Sequence, residues 1–305
     1  MSGEKSKSSG DYGERIVINF LNLIGWESAE KNITIDCVEE EHESKSSTHG
    51  VDGYFRYRSN LFSSSVQEDI LFSTKHTVNE YPKSSIKFKE HLYEIAKWMD
   101  CFPLDKNYGA KKMNHILERK LSGVLFWLAK DEKDSKSITK EIYNFRNTNQ
   151  YDFGPIYLVD NEKLFFITKV INYAKYHFDD YNFEYHFTGY NNTDPTGMKS
   201  CGKIFPVQLL TTNMLPIRVT KEGKPSLAVF LNENYSAESL KKVLGFAKVL
   251  GNDWPQKTYI LYPEYNELDN GNDTSSIKGL FETDDFIKNV EVLSFNEGIS
   301  SLGRK

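Results

Sequence analysis

The sequence predicts an α/β protein: a mixed sheet flanked by helices, followed by a smaller C-terminal α/β domain. Three observations carry this. Apolar spacing switches between helical and strand periods, giving one helix, then three strands, then helix and strand in alternation. Val124-Leu125-Phe126-Trp127-Leu128-Ala129 is a continuous apolar run, as a parallel strand covered on both faces would be. Residues 189–200 are mostly turn formers and mark a boundary. The expected organisation is therefore a flexible tail over 1–10, a first domain over 11–190 and a second over 200–305.

The elements follow in order. Residues 1–10 are rich in Ser, Lys and Gly and read as a tail. Ile16, Val17, Phe20, Leu21 and Ile24 then keep helical spacing, with Asp11 as N-cap and Gly25 at the C-terminal stop. A strand is expected over 32–38 and a charged, Ser-rich loop over 39–50. Two strands over 51–58 and 69–77 are joined by a polar turn at Ser63-Ser64-Ser65. Phe88, Leu92, Ile95, Ala96 and Met99 form the apolar stripe of a helix after Pro82. A Lys-rich segment leads to a strand over 123–129. Helix 138–147, strand 155–159 and helix 162–176 complete the first domain. Strand 226–231, helix 237–250 and strand 258–262 give the second domain a βαβ-type unit. No internal repeat is evident.

Composition excludes several classes. With 305 residues, 39% hydrophobic and 14% aromatic, the chain is globular rather than disordered. No apolar run reaches membrane-spanning length, and MSGEKSKSSG lacks the apolar core of a secretion signal. Cys37, Cys101 and Cys201 form neither a disulfide framework nor a zinc-binding spacing, which points to a reducing cytoplasm and no membrane. Residues 197–204 approach a phosphate-binding loop, but Ile204 stands where Ser or Thr must meet magnesium. Dinucleotide, hydrolase-elbow and zinc-protease motifs are absent. The net charge of −5 is unevenly spread. Residues 83–130 hold ten basic against five acidic side chains, and 251–305 hold five against ten. The first is a candidate phosphate-backbone footprint, centred on Lys83, Lys87, Lys89, Lys111 and Lys112. The second suits a protein partner.

Four pieces of the chain carry chemistry together. They are Glu14 in the first helix, Asp52 at the start of a strand, Ser73-Thr74-Lys75 at the end of the next, and Glu90 with Glu94 on the following helix. At a period of two, Ser73 and Lys75 share a face. Hard divalent ions take carboxylate oxygens and waters. Such an ion activates water and neutralises charge building on a phosphate. A lysine beside it orients water or stabilises the developing negative charge. His49 and His76 flank these pieces and read as ordinary strand-edge residues. Glu68 and Asp69 are weaker candidates, since Asp69 lies about 13 Å along the strand from Ser73.

This order of helix Glu, strand-start Asp and x-x-Lys over roughly 11–130 resembles the PD-(D/E)XK endonuclease superfamily. The layout also resembles nuclease-type subunits of two-component bacterial anti-phage defence systems. The resemblance implies a restriction-endonuclease-like sheet and cleavage of DNA with Mg2+ or Mn2+. It implies Asp52 as metal-binding aspartate, Lys75 as catalytic lysine and Glu14 as helical acid. Ser73 departs from the pattern, which has an acid there. Some relatives move that acid to the following helix, which suggests Glu90 as the metal ligand, with Glu94 as second choice. A second protein subunit or a homo-oligomer is implied as partner. The alternative is a catalytically degenerate nuclease fold that binds DNA or scaffolds a complex. RNA as substrate is a weaker option.

Overall fold

The structure, a computed structural model, describes residues 2–38, 42, 47–61, 64–81, 85–130, 137–142, 145, 153–178, 182–186, 201–251, 254–281 and 285–296. The chain divides into two compact units. One is Met1–Phe165 with Val207–Thr211, and the other is Phe166–Pro206 with Thr212–Lys305. The division thus differs from the expected 11–190 and 200–305, and the turn-rich stretch at 189–200 lies outside the described residues.

In the first unit, α1 (Ser2–Leu23), β1 (Glu30–Asp36), β2 (Thr48–Leu61) and β3 (Ser64–Thr77) come first. Then follow α2 (Ser85–Cys101), β4 (Glu118–Ala129), α3 (Thr139–Ile142), β5 (Ile156–Val159) and the start of α4 (Asn161–His177). The sheet runs β1-β2-β3-β4-β5. β1, β2 and β3 are an antiparallel meander, and β3-β4 and β4-β5 are parallel. Parallel neighbours need a crossover, and α2 is carried by the first of these.

The sheet has two covered faces. On one, Leu71, Leu125 and Trp127 pack with Ile95, Trp98 and Met99 of α2. On the other lie Phe72 and Phe126, edge-on at 6.1 Å, with Phe20 of α1 at 6.0 Å from Phe126. The continuous apolar run of β4 is buried throughout, as a doubly covered strand requires.

α1 starts at Ser2, so the expected flexible tail over 1–10 is a correction. Nucleation is the costly step of helix formation and extension is cheap. The packed turns around Val17, Phe20 and Leu21 supply the nucleus, and Glu4, Lys5 and Lys7 are good helix formers that extend it. Ser9 Oγ lies 2.7 Å from His76 Nδ1, tying this extension to β3.

The second unit is larger than the expected βαβ. It holds β6 (Asn182–His186), β7 (Cys201–Gly202), β8 (Met214–Lys221), β9 (Lys224–Leu231), α5 (Ala237–Gly251), β10 (Lys257–Tyr262), α6 (Glu267–Gly279), α7 (Asp285–Lys288) and β11 (Val290–Ser294). Its mixed sheet runs β11-β10-β9-β8-β6-β7. The β9-α5-β10 core matches the sequence reading, with Leu227, Val229, Leu240, Leu244 and Ile260 buried together. The β8-β9 hairpin turns on Glu222 (φ 50°) and Gly223 (φ 76°), the paired left-handed residues of a tight two-residue hairpin. No helix among the described residues is long and apolar enough to cross a membrane.

Gly13 is where α1 meets β3: a Cβ there would fall 2.5 Å from the Cβ of His76. Gly10, one turn earlier, has nothing within 4 Å. Gly10→Ala should therefore raise stability by about 0.5–1 kcal/mol through helix propensity. Gly13→Ala should lower it by about 1–2 kcal/mol, because overpacking exceeds the same gain. Denaturant unfolding of the two variants beside the parent checks the opposite signs.

Candidate active site

The β2-β3 register ends at the pair Gly53↔Phe72, beyond which the two strands part. Asp52 is the first β2 residue past that fork. Val51 and Tyr54 both face the core under α2, so strict alternation breaks around Asp52. Opposite it on β1 is Asn32, in the left-handed region at φ 50°, which Asn tolerates better than most residues. The break turns the Asp52 carboxylate toward the β3 backbone. Its Oδ2 accepts from the Thr74 backbone N–H at 2.7 Å and from Ser73 Oγ at 3.1 Å. Ser73 thus serves as a donor to the aspartate instead of as a ligand beside it.

Lys75 follows on the same β3 face as Ser73. Their β4 partners are Trp127 and Leu125. Lys75 Nζ lies 2.8 Å from Glu94 Oε2, both partly exposed. Glu90 is instead paired with Lys87 at 2.5 Å, one turn away on the helix surface. Of the two helix acids, Glu94 meets the lysine.

An open pocket of about 550 Å³ sits at this end of β3, lined in part by Gly10, Lys75, His76, Lys87, His91 and Trp127. His91 and Trp127 belong to no sequence motif. Trp127 is the floor, stacked by Phe88 at 6.3 Å and met edge-on by His91 at 5.2 Å. Burial lowers the His91 pKa, and the Lys75 charge lowers it further, against partial opposition from Glu94 and Glu90. A hint was available: His91 lies one helical turn from Glu94 and adjoins Glu90.

The other candidates fall elsewhere. Glu14 is exposed on α1, which packs on the face of Phe72 and His76, opposite to that of Ser73 and Lys75. Among the described residues it has no hydrogen bond or ion pair to Asp52 or Lys75. His76 packs under Tyr12, edge-on at 5.4 Å, and burial lowers its pKa. Asp69 is buried at the far end of β3, where Arg119 (2.6 Å), Tyr54 Oη (2.7 Å) and Gln67 Nε2 (2.9 Å) occupy its oxygens. Glu68 is buried, accepts from Ser59 and Gln208, and has its pKa raised by burial. Both carboxylates are buried, and among the described residues the Oε2 oxygen of Glu68 has no hydrogen-bond partner.

The basic footprint is divided. Lys87 lines the pocket and Lys89 lies over the Tyr93 ring at 5.3 Å. Lys111 and Lys112 are exposed at the far end of β3, where Gln67 donates to the Lys111 carbonyl at 3.4 Å. Gln67 and Lys75 are about 26 Å apart along the strand. Lys83 lies outside the described residues.

The donors suit a hard divalent ion. Asp52 and Glu94 are carboxylates bonded to two residues that line the pocket, Thr74 and Lys75, and such ions are held by one or two carboxylates with water and phosphate. Among the described residues lining the pocket the nitrogen ligands are the imidazoles of His91 and His76, and no cysteine lines it.

Residues 1–163, more than half of the chain, match the family model described as GAPS4 protein PD-(D/E)XK nuclease domain. No curated protein matches the chain.

His91 and His76 both have pKa values below the ordinary 6.5. The unfolded chain therefore takes up protons first on acidification, and stability falls as pH drops through that value. The urea midpoint should fall between about pH 7.5 and about pH 5.5, and fall less in His91→Gln. An equal drop in the variant would remove His91 from this linkage.

Proposed function

This chain belongs to the PD-(D/E)XK nuclease family of the GAPS4 anti-phage system, and from that premise we propose that it is a divalent-metal-dependent DNA endonuclease. Enzymes of this family typically use divalent metal ions. The observation that carries the proposal is the Lys75–Glu94 pair beside the Asp52 fork at the end of β3.

Asp52 and Glu94 would hold Mg2+ or Mn2+, which supplies a polarised water and counter-charge for the phosphate. Glu94 takes the role that the spacing suggested for Glu90, and Glu14 is not needed for it. The Thr74 N–H and Ser73 hydroxyl fix one Asp52 oxygen, so the carboxylate is pre-oriented without cost at the moment of reaction. Glu94 keeps the Lys75 ammonium beside the pocket, and once Glu94 turned to the ion the ammonium would be free to stabilise the charge that develops on the phosphate oxygens. Lys87 and Lys89 would take the phosphate backbone on either side. The acidic C-terminal stretch fits a second protein subunit better than nucleic acid.

One observation favours a second reading, a degenerate DNA-binding subunit. Ser73 stands at the acid position and uses its hydroxyl on Asp52.

The test is plasmid cleavage with Mg2+ or Mn2+, with the genomic neighbour present. Asp52→Asn and Lys75→Ala should each lower cleavage by at least about 10²-fold. Glu94→Gln should lower it more than Glu90→Gln. Cleavage that is absent from the parent protein, with salt-dependent DNA binding retained in Lys75→Ala, would replace the enzyme by the binding subunit.

A further inference from the structure

A second cluster of ligands lies away from the pocket. Cys37, just after β1, His42, His49 at the start of β2 and Cys101, the last residue of α2, place one donor atom each within 4.8 Å of one another. The two cysteines with the two histidines follow no zinc-finger spacing. His42 is five residues after Cys37, but Cys101 is 52 residues after His49. The absence of a zinc-binding spacing among the cysteines holds, because the four side chains meet only in the fold.

The distances are those of a metal tetrahedron. His42 Nδ1 is 3.6 Å from Cys37 Sγ and 3.4 Å from Cys101 Sγ, and His49 Nε2 is 3.5 Å from Cys101 Sγ. Zinc bonds of about 2.3 Å to S and about 2.0–2.1 Å to N, at the tetrahedral angle, put S and N about 3.6 Å apart. Hydrogen bonding alone accounts for the cluster poorly. His42 Nε2 faces Asp100 Oδ2 at 3.1 Å, so that nitrogen carries the proton. Nδ1 then has a single lone pair, yet two thiols converge on it. A cation in the middle uses that lone pair and both sulfurs at once. The Asp100–His42 contact is also the carboxylate–imidazole pair that orients metal-binding histidines. His42, His49 and Cys101 are buried. Two thiolates and two neutral imidazoles balance a divalent charge, so the assembled site could be buried without net charge.

We propose that Cys37, His42, His49 and Cys101 bind one zinc ion as a closed structural site, with Asp100 orienting His42. Two sulfurs and two nitrogens in a tetrahedron are the donor set zinc prefers. All four positions are filled by protein, so the ion has no open place for water or substrate and is structural. It ties the end of β1 and the start of β2 to the C-terminus of α2. Asp52 is three residues beyond His49 on β2, and Glu94 is about two turns before Cys101 on α2. The zinc thus clamps together the strand that carries Asp52 and the helix that carries Glu94. This inference does not depend on the nuclease reading.

The experiment is elemental analysis of the purified full-length chain after exhaustive dialysis, with cobalt(II) exchange as a spectroscopic check. One zinc per chain is expected, together with the intense visible and sulfur-to-metal bands of a tetrahedral thiolate site on exchange. Cys37→Ser, at the least buried of the four positions, should lose the metal. Asp52→Asn should keep it, which separates this site from the pocket. Asp100→Asn, which removes no ligand, should weaken zinc binding by about 10–100-fold. A folded, metal-free parent protein with both thiols open to alkylation would overturn the proposal. A Cys37–Cys101 disulfide would do the same, as would zinc that leaves with Asp52→Asn instead of Cys37→Ser.

Discussion

Parallel pairing of β3 with β4, continuous from Val66↔Glu118 to Thr77↔Ala129, is the constraint on which the first unit depends. A parallel neighbour cannot be reached by a tight turn, so the chain must leave the end of β3, travel back and re-enter the sheet. α2 is that return path. Its apolar stripe has one available place, the sheet face of Leu71, Leu125 and Trp127. Once it is seated there, its polar flank must pass the end of β3 where Lys75 stands. Its C-terminus must also arrive beside the β1-β2 connection, where Cys37 and His49 are. The Lys75–Glu94 pair and the Cys/His cluster are two consequences of one crossover.

Much of this was legible in the sequence. The stripe of α2, the apolar run of β4 and the spacing of Ser73 and Lys75 are local, periodic signals, and the structure reproduces each. Glu90 against Glu94 was not decidable in that way. The two differ by one turn, about 6 Å along the helix axis, and both lie on one flank. Which of them meets Lys75 depends on how much chain is spent between Thr77 and the first turn of α2, and periodicity does not measure that. The β8-β9 hairpin was missed because Glu222-Gly223 is a weaker turn signal than Asn-Gly. Pro216 also argues against a strand. In the structure Pro216 lies one residue past the β6-β8 register, which ends at Tyr185↔Ile217. The Cys/His cluster was invisible for a different reason: its ligands meet only after the crossover folds.

Asp52 and Asp69 share one sheet and illustrate what makes a carboxylate available. Asp69 has Arg119, Tyr54 and Gln67 on its oxygens in a buried site. There it is fully compensated, and removing a partner would leave a buried charge unpaired. Asp52 receives two donors on a single oxygen at the rim, where the strands part. Its other oxygen has no partner among the described residues. Strand divergence, rather than the acid itself, separates a fully engaged carboxylate from one with an oxygen left open.

The same reasoning reduces the basic footprint that the charge count suggested. Of the ten basic side chains in 83–130, Arg119 is spent on Asp69, and Lys97 donates to the His42 carbonyl at 3.0 Å. Lys120 lies 3.8 Å from Glu118. Lys111 and Lys112 sit at the wrong end of β3 for the pocket. Phosphate affinity scales with the cations that neutralise phosphates, and the candidates left are Lys75, Lys87 and Lys89, of which Lys75 and Lys87 line the pocket. Two of these are themselves engaged by Glu94 and Glu90, so a bound backbone would have to compete with carboxylates for them. If Glu94 holds the divalent ion of the proposed reaction, its carboxylate would be withdrawn from Lys75 and the ammonium left to the phosphate, so on that proposal metal and nucleic acid should bind cooperatively.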